Sequence, residues 1–167
     1  YFSDPWGSSG ERPIGAFYRA FPDGRLEQLD RGLAFPNGVA INADETAVFL
    51  AETRPNTIWR YELRRDGSVG PRTEFARLGG VPGPDGMAFD ADGLLYVAHH
   101  GEGRVDVIDP NGREVDHIPV PGRQVTNVAF GGPDFDVLTI TEVETASVYR
   151  RKLGVKGQRL FGGLHHR

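Results

Sequence analysis

Short apolar runs separated by polar turns fill this chain, and three segments repeat one pattern. They read PNGVAINADETAVFLAET from Pro36, PDGMAFDADGLLYVAHH from Pro84 and TNVAFGGPDFDVLTITE from Thr126. Their matching alanines, Ala40, Ala88 and Ala129, stand 48 and then 41 residues apart. In each segment an apolar strand leads through a turn (Asn42 to Glu45, Asp90 to Gly93, Gly132 to Asp136) into a second apolar strand. A third strand is predicted behind each pair, near Ile58 to Leu63, Arg104 to Asp109 and Ser147 to Lys152. Turns such as Arg65-Asp66-Gly67 and Pro110-Asn111-Gly112 follow, and Asp-Gly or Asn-Gly between β-prone runs marks a hairpin. No stretch holds a capped 3.6-residue apolar period, so few helices are expected.

Four antiparallel strands in a unit of roughly 40 to 50 residues is the period of a propeller blade. The pattern therefore predicts an all-β chain forming one partial β-propeller domain over residues 1–167. Blade remnants are expected at 1–35, and blades at about 36–83, 84–124 and 125–164. Ile14 to Asp30 supplies the outer two strands of the earliest blade around a hairpin at Pro22-Asp23-Gly24, and Tyr1 to Ser3 the end of its second strand. That makes about three and a half four-stranded blades, whereas closed propellers hold roughly four to eight. Unpaired sheet edges are normally avoided. Upstream blades of a longer parent are expected to complete the ring, with a second copy of the chain as the alternative; the opening Tyr1 in place of Met agrees with the former. Trp6 and Trp59 are expected to pack between blades.

Composition narrows the functional classes. The 167 residues include 23 Gly and 12 Pro, a turn-rich balance. Leu, Ile, Val and Phe still make up about a quarter of the chain, enough for a packed interior. A formal charge of -4 without a basic run argues against nucleic acid as a partner. No apolar run approaches the roughly 20 residues of a membrane span, so no membrane partner is expected. A soluble protein is expected, in the cytoplasm, although a signal peptide upstream of Tyr1 stays open. The absence of cysteine removes thiol catalysis and thiolate metal sites.

Chemistry is expected on the propeller face that carries both the loops into the inner strands and the loops after the second strands, because loops on a rigid scaffold carry function. The inner strands begin at Phe35-Pro36-Asn37-Gly38, Gly83-Pro84-Asp85-Gly86 and Val125-Thr126-Asn127. Asn37 and Asp85 hold the same place in successive repeats, so both side chains are predicted to face the channel axis. An amide oxygen and a carboxylate converging there suit a hard cation such as Ca²⁺. Pro-Asn-Gly and Pro-Asp-Gly are also ordinary turn sequences. Pro22-Asp23-Gly24 and Pro110-Asn111-Gly112 are read as plain hairpins, since no apolar inner strand follows them.

These motifs, with the opening Tyr-Phe-Ser-Asp-Pro-Trp-Gly, resemble the gluconolactonase, regucalcin (senescence marker protein) and luciferin-regenerating family of six-bladed propellers. The resemblance runs from Tyr1 to about Leu153 and implies one divalent cation, usually Ca²⁺, with Zn²⁺, Mn²⁺ or Mg²⁺ as alternatives. It also implies a small-molecule sugar lactone or ester as substrate. By that resemblance Asn37 is a metal-binding amide, and Asp85 a metal ligand that also serves as catalytic base. Two further family ligands, a glutamate and an asparagine, would lie upstream of Tyr1. A phosphotriesterase or paraoxonase-like hydrolase on the same site, and a non-catalytic binding propeller, are the alternative readings.

Around the rim, Glu52, His99, His100, Thr126 and Asn127 are the candidate substrate-binding residues, since hydroxyl-rich substrates need several donors and acceptors. Solvated loop positions for the histidines, and backbone bonding for Thr126 and Asn127, are the competing structural readings. Asp90-Ala91-Asp92-Gly93 lacks the closing glutamate and flanking helices of an EF-hand and is read as a hairpin turn. His165 and His166 are read as a frayed tail and a weak zinc signal.

Overall fold

The computed structural model describes residues 1–159. It contains four antiparallel sheets in chain order, and no helix occurs among the described residues. The first sheet holds β1 (Phe2–Asp4), β2 (Gly15–Ala20) and β3 (Leu26–Leu33). The second holds β4 (Pro36–Ile41), β5 (Ala47–Glu52), β6 (Thr57–Glu62) and β7 (Thr73–Arg77). The third holds β8 (Gly83–Phe89), β9 (Leu95–His100), β10 (Arg104–Ile108) and β11 (Glu114–Pro119). The fourth holds β12 (Val125–Gly131), β13 (Val137–Glu142) and β14 (Ser147–Lys152). Each sheet is a blade or part of one, and the whole is a partial β-propeller. The first sheet lacks a strand inside β1, and the fourth has none outside β14 among the described residues. The positions His165 and His166, and the end of the last blade at 164, lie outside the described residues.

The core sits between sheets, as it must when each sheet buries both faces against its neighbours. One apolar cluster, including Phe17, Leu33, Leu50 and Tyr61, joins the first and second sheets. A second, including Phe49, Ile58, Phe89 and Val97, joins the second and third. A third, including Tyr96, Val105, Val128 and Ile140, joins the third and fourth. An aromatic pair crosses each junction: Phe17–Tyr61 at 5.0 Å between ring centres, Phe49–Phe89 at 5.2 Å and Tyr96–Phe130 at 5.1 Å. The hairpin glycines and the Asp90 turn follow the sequence reading. Asp90 Oδ1 accepts from the N–H groups of Asp92 and Leu94, which makes it a turn residue.

Beyond β14 the chain passes beneath the far ends of the inner strands. The Ala91 N–H donates to Lys156 O, the Gln158 N–H to Phe89 O, and Gln158 Nε2 to Ile41 O. Gln158 and Phe135 border an apolar hollow of about 160 Å³, walled by Ile41, Phe89 and Phe130 among others. This hollow lies at the opposite end of the inner strands from Asn37 and Asp85.

Trp59 packs between blades as expected, lying against the first junction with Arg72 stacked 5.0 Å over its ring. Trp6 does not: it is 87% exposed. The loop after β1 turns tightly at Pro5, where Ser8 N–H returns to Pro5 O and Trp6 N–H is held by Asp4 Oδ1. That turn presents the indole outward instead of folding it into a junction.

Candidate functional site

Register explains how the polar residues meet. Pro36 pairs with Glu52, Pro84 with His99 and Val125 with Glu142, and each inner strand bulges just after that pair. Asn37, Asp85 and Thr126 therefore occupy one repeat position, while Gly38, Gly86 and Asn127 occupy the next. The two glycines are required by close approach. A Cβ on Gly38 would lie 2.2 Å from Asp85 O, and a Cβ on Gly86 would lie 2.0 Å from Asn127 Oδ1. Bare backbone at these points lets adjacent inner strands nearly touch, so residues 48 positions apart become neighbours at one end of the channel wall.

Asn37 and Asp85 stand side by side there. Burial pushes the Asp85 carboxyl up to about 6, while the adjacent Asn37 amide and the Gly86 N–H work to lower it. No Lys or Arg pairs with Asp85 among the described residues. On the other side, Asn37 Nδ2 donates to Thr53 Oγ1 at 3.4 Å, and Thr53 Oγ1 donates to Pro84 O at 2.7 Å. Ser3 Oγ, from the first sheet, donates to Asn37 O at 2.6 Å. Three sheets thus hold one asparagine. An acidic oxygen without a protein cation, beside an amide whose Oδ1 accepts from no donor among the described residues, fits part of a hard-cation shell. Two oxygen donors are fewer than Ca²⁺ takes, and no cluster of three His, Asp or Glu side chains occurs among the described residues.

The rim candidates divide. Thr126 shares a hydrogen bond with Thr141 Oγ1 at 2.8 Å, and Asn127 Oδ1 accepts from the Val128 N–H at 2.9 Å. Asn127 remains exposed, against Gly86. His100 is half-buried at the end of β9. Glu52 and His99 do not stand on the rim. His99 is fully buried, with Nδ1 2.6 Å from Asp106 Oδ2, because it lies in a strand covered by neighbouring sheets on both faces. Glu52 is buried and accepts from the Ala34 N–H and from Trp59 Nε1.

Sequence reasoning did not recognise that Glu52, His99 and Glu142 are one repeat position, which register aligns opposite Thr57, Arg104 and Ser147. Both glutamates clamp the loop that leads into the inner strand of their own blade. Glu142 accepts from the N–H groups of Gln124, Glu144 and Thr145 and from Thr145 Oγ1, at 2.5 to 2.9 Å. Burial alone would raise its pKa, but these four donors prevail and hold the carboxyl at about 2. A depressed carboxyl stabilises the fold above its unfolded value, near 4.5, and loses that contribution as pH falls through about 2. Glu142→Gln is therefore expected to show less acid sensitivity than wild type between pH 4.5 and 2, with lower stability at pH 7. Urea unfolding midpoints across that range check both.

Sheets in propeller order, with oxygen-bearing side chains gathered at one end of the inner strands, define a propeller with a polar channel mouth. A family model described as the SMP-30/Gluconolactonase/LRE-like region matches residues 1–144, and the chain belongs to this family. Pentonolactonase XacC of Haloferax volcanii is 36% identical over 129 residues, covering 76% of this chain and 44% of that protein. The 6-deoxy-6-sulfogluconolactonase of Pseudomonas putida is 35% identical over 149 residues, covering 83% of this chain and 51% of its own. Among solved structures, the calcium-binding protein regucalcin from Agrobacterium tumefaciens superposes with a TM-score of 0.77 at 28% identity, covering 89% of this chain and 55% of that one. The chain spans about half the length of the curated relatives it matches.

Proposed function

We propose that this chain carries one side of the active site of a divalent-cation-dependent lactone hydrolase, with a sugar lactone as substrate and Ca²⁺ as the ion. The observation that carries this reading is the meeting of Asn37 and Asp85 at the channel mouth, linked through Thr53. Two of the relatives named above, the pentonolactonase and the 6-deoxy-6-sulfogluconolactonase, support the substrate class. Asn37 Oδ1 and the Asp85 carboxylate would hold the ion, together with donors from outside this chain. Bound there, a hard cation supplies Lewis-acid polarisation of the lactone carbonyl.

The chain's own residues do the rest. One Asp85 oxygen takes a proton from the water whose oxygen attacks the carbonyl carbon. As the ring C–O bond breaks, the same carboxyl returns that proton to the leaving alkoxide, giving an open hydroxy acid. Beside a bound cation the carboxylate stays ionised and ready to accept a proton, and a modest base suffices for an activated ester such as a lactone. Asn127 offers an exposed amide beside Gly86 for the substrate's hydroxyls.

Acid release from glucono-1,5-lactone, followed in a pH-stat with Ca²⁺ and again after chelation, tests the proposal. Turnover above the spontaneous rate, lost on chelation and restored by Ca²⁺, is expected. A rate equal to the spontaneous one with Ca²⁺, Zn²⁺, Mn²⁺ and Mg²⁺ alike would leave a binding propeller. Faster hydrolysis of a phosphotriester would move the substrate class.

A further inference from the structure

We propose that Thr53 is a positioning residue, whose hydroxyl fixes which end of the Asn37 amide faces the channel. The inference rests on reading Asn37 and Asp85 as ion ligands. Thr53 directly follows β5 and is buried. A hydroxyl has one proton to give. Here it goes to Pro84 O, the carbonyl just before Asp85, at 2.7 Å. Toward Asn37 the hydroxyl can therefore offer only lone pairs, and the amide must meet it with Nδ2. Asn37 Oδ1 is thereby turned away from Thr53, leaving an acceptor for the ion.

Thr53 is anchored on both sides of this task. Its N–H donates to Phe35 O at 3.0 Å, two residues before Asn37, and its carbonyl accepts from the Asn56 N–H. It thus ties the starts of both inner strands to one hydroxyl. The device is specific to this junction. At the equivalent repeat positions, following His99 and Glu142, stand His100 and Val143, neither of which carries a hydroxyl. A general blade-folding role would call for a hydroxyl at all three positions. Only the blade that supplies Asn37 and faces Asp85 has it.

Thr53→Val keeps the shape and removes the hydroxyl; Thr53→Ser keeps the hydroxyl. Both are compared with wild type by Ca²⁺ titration calorimetry on the ion-depleted chain, and by the side-chain amide resonances of Asn37 without ion. Thr53→Val is expected to weaken Ca²⁺ binding about tenfold or more, the range for partners that orient metal ligands. It is also expected to shift the Asn37 amide pair, and Thr53→Ser is expected to restore both. Wild-type affinity in Thr53→Val, or equal loss in both variants, overturns the proposal. If wild type itself takes up no Ca²⁺, the ion reading fails, and the ion-free resonances decide the role of Thr53. A shift in Thr53→Val restored in Thr53→Ser sustains the role, and unshifted resonances overturn it. If Thr53→Val does not fold, Thr53→Cys, a weaker donor of similar size, is scored on the same readouts.

Discussion

Asp85→Asn is expected to lower lactone turnover by about 10²–10⁴-fold, the range for loss of a general base, while leaving the fold intact. The amide matches the carboxylate in shape and occupies the same half-buried place, but it cannot take a proton from water. It also carries no negative charge, so Ca²⁺ affinity falls with it. Asp85→Ala removes both oxygens and is expected to eliminate binding as well as turnover. The control is Asp23→Ala. Asp23 lies in an exposed hairpin, where its Oδ1 accepts from the Arg25 N–H, and its loss is expected to change neither property. Initial rates and Ca²⁺ calorimetry on the three variants separate a lost base from a lost ligand. Full turnover in Asp85→Ala would sink the site assignment.

Gly38→Ala is expected to damage the fold and the site together. The added carbon would meet Asp85 O at 2.2 Å and Gly86 Cα at 3.0 Å, both of them backbone atoms. No side chain can swing aside to make room. Relief requires β4 and β8 to separate, which breaks the approach that puts Asn37 beside Asp85. Overpacking of this kind costs about 1–3 kcal/mol, and a clash made entirely with the backbone of Asp85 and Gly86 places Gly38 at the upper end. Urea unfolding is expected to show that loss, and Ca²⁺ binding is expected to fail even where the variant remains folded. An alanine variant of wild-type stability that still binds the ion would show that β4 and β8 can part without loss of the site. Gly24→Ala is a useful contrast, because nothing lies within 4 Å of its added carbon; only its φ of +84° opposes the change.

Most of the architecture was legible because a propeller writes its period into the sequence. Pro-Asn-Gly at Pro36 and Pro-Asp-Gly at Pro84 recur with the same alternating strands behind them, and the Asp-Gly and Asn-Gly hairpins set the strand ends. The pairing of Asn37 with Asp85 was legible for the same reason, since equal places in adjacent repeats share an axis. Less visible was the difference between a polar residue on a rim and a polar residue sealed at a strand end. Glu52 and His99 look alike in sequence to solvated loop residues, yet both end strands that are covered on both faces, where Glu52 meets the Ala34 N–H and Trp59 Nε1 and His99 meets Asp106. The signal was available: Glu52, His99 and Glu142 keep a constant five-residue spacing from Thr57, Arg104 and Ser147. The positioning role proposed for Thr53 was not legible, because it depends on the direction of one proton, which no spacing encodes. Trp6 went astray because an aromatic residue is usually buried, whereas the Pro5–Ser8 turn overrides that preference locally.

The strap that ends at Gln158 bears on the order of assembly. Its amide reaches Ile41 across 117 positions, the longest separation of any side-chain hydrogen bond described here. Closing so wide a loop carries an entropic penalty that neighbouring hairpins do not face. Each blade can zip up from its own turns, but the carbonyl at the end of β4 must wait for a partner made more than a hundred residues later. Synthesis from the amino terminus therefore leaves this strand held at Ile41 only by its pairing with Val48 until the fourth sheet and Gln158 have emerged.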